Sequence, residues 1–488
     1  MTAISSHHLS RLSEFVASVM GLNFPEDRWS DLERGITSAA REFGFSDTMV
    51  FINHLISSPL TRDRVETLAS YLTVGETYFF RDKETFNVLE GQILPELISL
   101  KGNEGKCLRI WSAGCSTGEE PYSIAILINR LIFDLKEWNI TILATDINPC
   151  FIKKALTGVY TGWSFRDTPT WVKEGYFKKT KEGYYEILPK IKKMVTFSYL
   201  NLAEDVYPSL LNNTNGMDLI FTRNVLMYFS PDSIKKAVKG FFNSLVADGI
   251  LMVSPAEVMT IRSAQFVPVN FPGVTLYRKN AVKKDINGIR KKVRDDNPPP
   301  SMGGGEGEGK IGEGEQKVFS DEIDNVMASI YKEANLLYQE GRYSDAEDRL
   351  TWLLSHGPDN QMVCALLART YANQGRLDEA LKWCEKSLSS DILNPACHYL
   401  LATVLLEQGQ IDEAIKSLKK VLFLDNNFIL AYFVLGNIML SRSRSRVSMK
   451  YFKNAVELLT TYMPEDVLPE SDGITAGRLL EIIKLMSD

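Results

Sequence analysis

The sequence predicts an α/β domain built on a mostly parallel sheet, with a helical unit before it and an all-helical repeat array after it. Between residues 106 and 280, apolar runs such as "CLRIWSAG", "ITILATDIN" and "GILMVSP" alternate with helical stretches such as "EEPYSIAILINRLI". This alternation is typical of parallel strands that are covered by helices on both faces. Beyond residue 327, small residues recur every 34 positions, which indicates stacked helical units. Because 488 residues exceed what one core usually holds, we expect separate domains.

The first part of the chain, residues 1–90, is predicted to form a small helical domain. Leu9, Leu12, Val16 and Val19 recur on one face of a helix, and "FSDTMVFINHLIS" repeats that spacing. Such a one-sided apolar stripe needs a partner to cover it. We therefore expect these helices to pack against one another and against the sheet domain.

The overall composition excludes several classes of protein. Lys+Arg 55 against Asp+Glu 61 gives a formal charge of -6, which supplies no general reason to bind nucleic acid or an anionic membrane. No apolar run approaches the roughly 18 residues of a membrane span, and the first residues lack a signal-peptide pattern, so we expect a cytoplasmic protein without membrane insertion. The six cysteines form no CxxC pair, which predicts reduced core thiols and no metal site. None of the five histidines lies between residues 91 and 280, which argues against a histidine base there.

The second half of the chain begins with a segment that has almost nothing apolar to bury. Residues 281–320 include "NPPPSMGGGEGEG", which predicts a flexible linker that lets the flanking domains move independently. In the domain that follows, 321–488, the period aligns Gly341, Gly375 and Gly409, and likewise the alanines at positions 334, 368 and 402. This pattern resembles tetratricopeptide repeats over about residues 327–462, with "RLLEIIKLM" as a capping helix. The resemblance implies a scaffold for a peptide or protein ligand.

The stretch "WSAGCSTGEEPYS" is predicted to be a strand, a glycine turn and the start of a helix. Gly114 and Gly118 do not form the G-x-G-x-x-G fingerprint of dinucleotide sites, and Glu119 and Glu120 would repel a pyrophosphate but suit a cation. Asp146 ends the next strand, where a carboxylate can accept the hydroxyls of a ribose. A cation joined to a ribose without phosphate describes S-adenosylmethionine. The alternative is that the glutamates are ordinary acids of a helix N-terminus and that Asp146 caps the following helix.

Five motifs then carry a resemblance to a known family. "TYFFRD", "IWSAGCSTGEEPYSIA", "ATDIN", "FSYLNL" and "DLIFTRNVLMYF" resemble, in order, the motifs of the CheR family of chemoreceptor glutamate O-methyltransferases, over about residues 10–280. The resemblance implies a class I methyltransferase (Rossmann-like) sheet over 91–280 with a small insert at about 160–195. It also implies that S-adenosylmethionine is the methyl donor and that glutamates in the cytoplasmic domain of methyl-accepting chemoreceptors are the acceptors. An ionised carboxylate needs no general base, which agrees with the histidine-free span.

The resemblance also implies roles for individual residues around the donor. Thr77 and Arg81 would hold the methionine carboxylate, with Arg81 aligning the donor for transfer. Glu120 would bind the donor's amino group and Asp146 its ribose. Gly114 would let the backbone approach the donor closely.

The remaining residues border the two ends of the donor. Asn201 and Leu202 would border the adenine, while Asn224 and Val225 would lie along the methionine. Tyr228 would neighbour the reacting methyl group, which makes it a candidate catalytic residue together with Arg81. Each residue also has a structural interpretation: a surface ion pair for the arginine, turn formation for the asparagines, and core packing for the tyrosine.

Several alternatives remain open at the level of function. The chain could transfer methyl to a different protein or to a small acid, or it could be a non-catalytic adaptor that binds the donor and acts through its repeats. The short turn in "YFKKTKEGYYEI" argues against docking on the C-terminal pentapeptide of a receptor, and "LVADGILMVSPAEV" departs from the family's usual text around the sixth strand. The repeats are predicted to bind a receptor, a signalling partner or the catalytic half itself.

Overall fold

A computed structural model describes most of the chain. The described residues are 4–57, 61–103, 105–204, 206–209, 212–261, 265–279, 327–356, 360–442, 445–471 and 473–487. The predicted linker, 281–320, lies outside them. In the described residues a helical unit, a mixed sheet with helices on both faces, and a helical repeat array follow one another, as predicted.

The described residues of the N-terminal unit form four α-helices. They are α1 (Ser6–Met20), α2 (Trp29–Glu42), α3 (Thr48–Ser57) and α4 (Arg62–Leu72). Leu9, Leu12 and Val16 are buried on one face of α1, so the apolar periodicity is confirmed. A Cβ at Gly35 of α2 would lie 2.8 Å from the carbonyl oxygen of Tyr71 in α4, which is why a residue without a side chain stands where these helices cross.

Two further helices lead into the seven-stranded sheet. They are α5 (Lys83–Val88) and α6 (Leu94–Gly102). The strands in chain order are β1 (Cys107–Ala113), β2 (Asn139–Asp146), β6 (Val195–Tyr199), β7 (Met217–Thr222), β8 (Leu245–Val253), β9 (Phe266–Phe271) and β10 (Val274–Lys279). Their order across the sheet is β6-β2-β1-β7-β8-β10-β9, and the first five are parallel.

Helices cover both faces of this sheet. They are α7 (Glu119–Leu131), α8 (Pro149–Thr157) and α11 (Pro231–Ser244). Successive residues of β1 belong to different cores: Ile110 packs with α7, whereas Trp111 packs with α11 and the N-terminal unit. Strands that are buried on both faces explain the continuous apolar runs in the sequence.

A small three-stranded sheet is inserted between α8 and β6. Its strands are β3 (Val159–Tyr160), β4 (Phe177–Lys179) and β5 (Tyr185–Ile187), in the order β3-β5-β4. The short helices α9 (Thr170–Tyr176) and α10 (Pro189–Lys192) flank it. The connection between β4 and β5 spans 180–184, so the turn is as short as the sequence indicated.

The C-terminal half forms antiparallel helix pairs. The first helix, α12, covers 327–339, and the others are α13 (Tyr343–His356), α14 (Gln361–Asn373), α15 (Leu377–Ser390), α16 (Pro395–Glu407), α17 (Ile411–Leu424), α18 (Ile429–Ser441), α19 (Ser445–Leu459) and α20 (Ala476–Ser487). Gly341, Gly375 and Gly409 all have φ near +75° in the turns. In the fourth pair Ser448 replaces the expected alanine, and its buried hydroxyl donates to the carbonyl oxygen of Gly436 at 2.8 Å.

The repeat array packs against the sheet domain. Asn139, the first residue of β2, donates its side-chain amide to the carbonyl oxygen of Glu407 at 2.8 Å, and Asn243 near the end of α11 donates to that of Glu340 at 3.4 Å. The prediction that the two halves move independently therefore does not describe this arrangement. The contacts lie at the amino ends of the parallel strands, on the side of the sheet domain opposite their carboxyl ends.

Candidate active site

The cleft opens at the carboxyl ends of β1, β2 and β7, and the strand order changes direction between β1 and β7. In such sheets this point is the usual ligand site. All ten residues singled out in the sequence line it: Thr77, Arg81, Gly114, Glu120, Asp146, Asn201, Leu202, Asn224, Val225 and Tyr228. The structure thus brings together residues from five separate segments, while their individual roles remain predictions.

The glycine turn after β1 forms the floor of the cleft. Gly114 has φ +84°, and a Cβ there would clash with the side chain of Val225. The amide nitrogens of Gly114 and Cys115 both donate to the carbonyl oxygen of Thr145, at 2.8 and 2.9 Å. These bonds fix the turn against β2, and the absence of a side chain at Gly114 lets Val225 pack against the turn.

Asp146 ends β2 with its carboxylate buried. One oxygen accepts the amide of Ser116 at 2.8 Å and the other accepts that of Asn148 at 2.9 Å. Burial raises the pKa of Asp146 to about 6, although the amide hydrogen bonds oppose this shift. Asn148, rather than Asp146, caps α8, because its side chain accepts from Cys150 and Phe151. Each carboxylate oxygen keeps acceptor capacity for ribose hydroxyls.

The two adjacent glutamates at the start of α7 have different environments. Glu119 points away from the cleft and accepts hydrogen bonds from Thr117 and Ser164, at 2.6 and 3.0 Å. Glu120 lines the cleft and accepts from Ser112 at 2.8 Å. Burial raises the pKa of both carboxyl groups. The interpretation of ordinary helix acids therefore suits Glu119, whereas Glu120 is available to a cationic ligand.

Arg223 is a charged residue of the cleft that the sequence reasoning missed. Its side chain is 1% exposed, forms an ion pair with Asp82, and donates to Glu120 at 3.2 Å and to the carbonyl oxygen of Arg81 at 2.8 Å. It therefore ties the "TYFFRD" segment to α7. The sequence offered only its position at the end of β7, beside Asn224, as a signal.

Arg81 is half-buried and does not form the local ion pair that was considered as an alternative. Its guanidinium donates to the carbonyl oxygen of Glu76 at 2.7 Å and lies 5.9 Å from the ring centre of Tyr78. This hydrogen bond occupies one edge of the guanidinium. The remaining donors suit a carboxylate, which an arginine can bind through two parallel hydrogen bonds.

Asn201 is buried, and its side chain is fully used within the protein. It donates to the carbonyl oxygen of Val19 at 2.8 Å and to Glu204 at 3.2 Å, and it accepts from the amide of Ala203 at 3.1 Å. Turn formation is thus the better description of this side chain. The apolar boundary of this end of the cleft comes from Leu202, with Leu200 beside it.

The segment after β7 is held by a buried carboxylate. Glu257 accepts the backbone amides of Asn224, Val225 and Met227, at 2.8, 2.7 and 3.3 Å. Ser254 completes a capping box with the same carboxylate. Ser254 belongs to "LVADGILMVSPAEV", the stretch that departs from the family's usual text, so this departure reaches the wall of the cleft.

Two buried polar atoms in the cleft fit a polar ligand. Ser116 Oγ and Asn224 Oδ1 have no hydrogen-bond partner among the described residues, and such atoms usually have one. Asn224 has φ +59°, a left-handed conformation that asparagine tolerates better than most residues. The donor predicted above offers amino, hydroxyl and ring groups that can satisfy these atoms.

Tyr228 closes the cleft on the side of the N-terminal unit. Its carbonyl oxygen accepts the amide of Asn23 at 2.7 Å, and the guanidinium of Arg28 lies 5.4 Å from its ring centre. Arg28 and Asn23 both line the cleft. The sequence reasoning missed them because they lie outside the motifs and precede Tyr228 by about 200 residues in the chain.

Nucleophilic catalysis by a cysteine finds no support in the cleft. Burial raises the pKa of the Cys115 thiol well above its ordinary value, and the nearby Asp146 raises it further. A thiol that stays protonated is a poor nucleophile. Among the described residues there is also no group of three or more His, Cys, Asp or Glu side chains arranged to hold a metal ion.

The sheet order, the glycine turn and the acids at the ends of β1 and β2 define a methyltransferase that uses S-adenosylmethionine. A family model described as "CheR methyltransferase, SAM binding domain" matches residues 75–272, and one described as "Anaphase-promoting complex, cyclosome, subunit 3" matches residues 339–421 within the repeats. S-adenosylmethionine is therefore the cofactor, and the chain is an S-adenosylmethionine-dependent methyltransferase.

Curated relatives match this chain over more than 200 residues each. The chain is 32% identical over 284 residues to a chemotaxis protein methyltransferase of Borreliella burgdorferi, covering 57% of this chain and 95% of that protein. It is 32% identical over 217 residues to chemotaxis protein methyltransferase 2 of Vibrio cholerae, covering 44% of this chain and 74% of that one. A protein of Pseudomonas aeruginosa named "Probable biofilm formation methyltransferase WspC" is 30% identical over 290 residues, covering 59% and 66%. The chain belongs to the chemotaxis protein methyltransferase (CheR) family, and it transfers methyl groups in chemotaxis-like signalling.

Proposed function

We propose that the enzyme methylates glutamate side chains in the cytoplasmic domain of a methyl-accepting chemoreceptor. The observation that carries this proposal is the charge at the open side of the cleft. Arg28 and Arg81 both line the cleft, and the guanidinium of Arg28 lies 5.4 Å from the ring centre of Tyr228; the span from 91 to 280 contains no histidine. An acceptor that is already an anion is attracted by this positive charge, and it needs no general base to remove a proton before it reacts.

The reaction needs alignment more than proton transfer. S-adenosylmethionine supplies a methyl group on a positively charged sulfur; a glutamate oxygen bonds to the methyl carbon as the carbon–sulfur bond breaks, which gives a methyl ester and S-adenosylhomocysteine. Holding both partners in line can lower the barrier by about 7 kcal/mol. The residues of the cleft would therefore act by orienting the reactants and by excluding water.

Each residue of the cleft has a part in that orientation. Glu120 would bind the amino group of the donor and Asp146 its ribose hydroxyls. Arg81, with Thr77, would hold the carboxylate of the donor, and Arg28 would attract the carboxylate of the acceptor. Arg223 forms an ion pair with Glu120. The carboxylate of Glu120 is therefore already held in position before the donor binds.

The acceptor site would lie between the N-terminal unit and the sheet domain. Leu202 and the backbone beside Asn201 would border the adenine, while Asn224 and Val225 would lie along the methionine. Tyr228 would face the reacting methyl group, since it sits between Arg28 and the turn that holds Val225. The insert has only a short turn between β4 and β5 with which to dock on a receptor. The repeat array would therefore recruit a receptor or a signalling partner.

A methylation assay tests the proposal. Purified enzyme, tritiated S-adenosylmethionine and receptor-rich membranes should yield base-labile label on receptor protein, and Asp146→Asn should reduce the yield at subsaturating donor. Asp232→Asn, a change of an exposed carboxylate whose side chain is 93% accessible, is the matched control. Label on another acid, or donor binding without any transfer, would contradict the proposal.

A second variant tests the acceptor role of Arg28. Arg28→Gln should raise the KM for receptor by about tenfold, the value of one charged hydrogen bond. Its Kd for the donor should change less than twofold. A loss of donor affinity that equals the loss in receptor KM would place Arg28 at the donor instead.

A further inference from the structure

The repeats contact the sheet domain through their turns, in an ordered way. The turn at Gly341 faces Asn243 of α11, and a Cβ at Gly375 would lie 2.8 Å from Val246 of β8 and close to Gly216, which precedes β7. The turn at Gly409 faces the first residue of β2. The three turns thus meet, in order, the end of α11, the beginnings of β8 and β7, and the beginning of β2, which follows the order of these strands across the sheet.

A buried ion pair closes this interface. Arg109 of β1 pairs with Glu407 of α16, and the two side chains are 6% and 8% exposed. Arg109 also donates to the carbonyl oxygens of Asn213 and Asn215, at 3.3 and 3.2 Å, and burial raises the pKa of Glu407. Burying one charged side chain without its partner is strongly unfavourable. The pair of Arg109 and Glu407 therefore forms only while the repeat array is docked against the sheet domain.

The last helix, α20, reaches the other side of the sheet domain. Arg478 lies with its guanidinium 4.9 Å from the ring centre of Tyr199 and 3.9 Å from a carboxylate oxygen of Glu204. Arg62 of α4 lies 3.9 Å from the same ring and pairs with Glu66 at 2.5 Å. We call Arg62, Tyr199, Glu204 and Arg478 the three-domain junction, because its members come from the N-terminal unit, the sheet domain and the repeat array.

The three-domain junction is directly connected to the donor cleft. Tyr199 is the register partner of Asp146 between β6 and β2, and the amide of the next residue, Leu200, donates to the carbonyl oxygen of Asp146 at 3.1 Å. Glu204 accepts the side-chain amide of Asn201 at 3.2 Å. The segment 199–204 therefore lines the cleft on one side and contacts Arg478 on the other.

We propose that the docked repeat array is a working part of the methyltransferase, and that Arg478 positions the segment 199–204 on the adenine side of the donor cleft. Arg478 holds both ends of that segment, Tyr199 through its ring and Glu204 through its carboxylate. This inference rests on the proposed location of the adenine next to Asn201 and Leu202. It makes the affinity for the donor dependent on a helix that is far from the cleft in sequence.

The test measures donor binding in the full chain, without any receptor. Arg478→Gln should weaken the Kd for S-adenosylhomocysteine by about three- to tenfold, as expected for losing a cation–π contact and a partly buried ion pair. Arg478→Lys should recover part of the affinity. Lys484→Gln, an exposed change in the same helix, is the control and should leave the Kd unchanged.

A positioning role has a further signature. The affinity for S-adenosylhomocysteine divided by the affinity for its inosine analogue should fall in Arg478→Gln. The reason is that a segment 199–204 that is held less firmly distinguishes the two bases less well. Glu407→Lys places a second positive charge against Arg109 and should undock the repeat array. The undocked protein should show the same lowered affinity ratio as Arg478→Gln. An unchanged Kd and ratio in Arg478→Gln, or an undocked Glu407→Lys with wild-type affinity, would overturn the inference. A missing receptor methyl ester with wild-type enzyme would instead refute only the proposed function.

Discussion

Donor binding should weaken in acid because Asp146 is buried in the cleft. In the proposed arrangement Asp146 accepts hydrogen bonds from the ribose hydroxyls of the donor, so the ionised carboxylate would be the form that binds. Burial raises the pKa of Asp146 to about 6, which places its protonation within an accessible pH range. We therefore predict that the affinity for S-adenosylhomocysteine falls as the pH is lowered from 8 to 5.

The size of the effect follows from the fraction of Asp146 that is ionised. With a pKa of about 6, the carboxylate is about 99% ionised at pH 8 and about 9% at pH 5. The Kd should therefore rise roughly tenfold over this range, with most of the change below pH 6.5. Burial also raises the pKa of Glu120. Protonation of Glu120 in acid would therefore add to the loss of affinity for S-adenosylhomocysteine.

Stability of the unliganded enzyme should change in the opposite direction. A carboxyl group whose pKa is higher in the folded than in the unfolded state binds a proton on folding between about pH 4 and 6. The unfavourable contribution of Asp146 to the free energy of unfolding is therefore present above pH 6 and disappears as the pH falls. Ligand-free unfolding monitored in urea at each pH isolates this contribution when it is compared with Asp146→Asn.

Calorimetry with S-adenosylhomocysteine across the pH range is the assay, with Asp146→Asn as the comparison. The variant should bind about tenfold or more weakly at pH 8, since it loses charged hydrogen bonds. It should also show a flatter pH dependence than wild type. A wild-type Kd that is constant from pH 8 to 5, or equal slopes in the two proteins, would refute the reasoning.

Three further changes test the framework around the cleft. Glu257→Ala leaves the backbone amides of Asn224, Val225, Met227 and Ser254 without their acceptor and should lower the free energy of unfolding by about 2–4 kcal/mol in urea titrations, whereas an unchanged midpoint would contradict the assigned bonds. Gly114→Ala forces a Cβ into Val225 at a positive φ, so donor affinity in calorimetry should fall more than tenfold; full affinity would show that the turn can adapt. Glu407→Ala leaves Arg109 buried without its partner and should cost about 3–5 kcal/mol by chemical unfolding, and the exposed Glu413→Ala should cost almost nothing.

Much of the fold and part of the cleft were predictable because the signals are local. The strands of the sheet are apolar on both faces, and the repeat period places equivalent small residues where helices cross. Glu120 and Asp146 could be identified because each follows a strand that ends at the same edge of the sheet. Such short-range patterns depend little on the rest of the chain.

The remaining features depend on contacts between distant parts of the chain. Asn201 matched a family motif, yet its side chain bonds to Val19, and only the folded structure shows that the N-terminal unit supplies this acceptor. Arg109 and Glu407 each resemble ordinary charged residues, and the neighbouring contact from Asn139 to Glu407 spans 268 positions. No periodicity or local motif marks two charges that are buried only together.

The ordered contact between repeat turns and strands restricts how this enzyme can change over evolution. Solenoid arrays commonly gain or lose whole units, since each unit contacts only its neighbours. Here the loss of one unit would shift α20 by a full step, so that Arg478 would miss Tyr199 and the later turns would face the wrong strands. The number of units between the linker and the last helix is therefore expected to stay fixed among enzymes that keep this interface, while the outer surface of the array is free to diverge with its ligands.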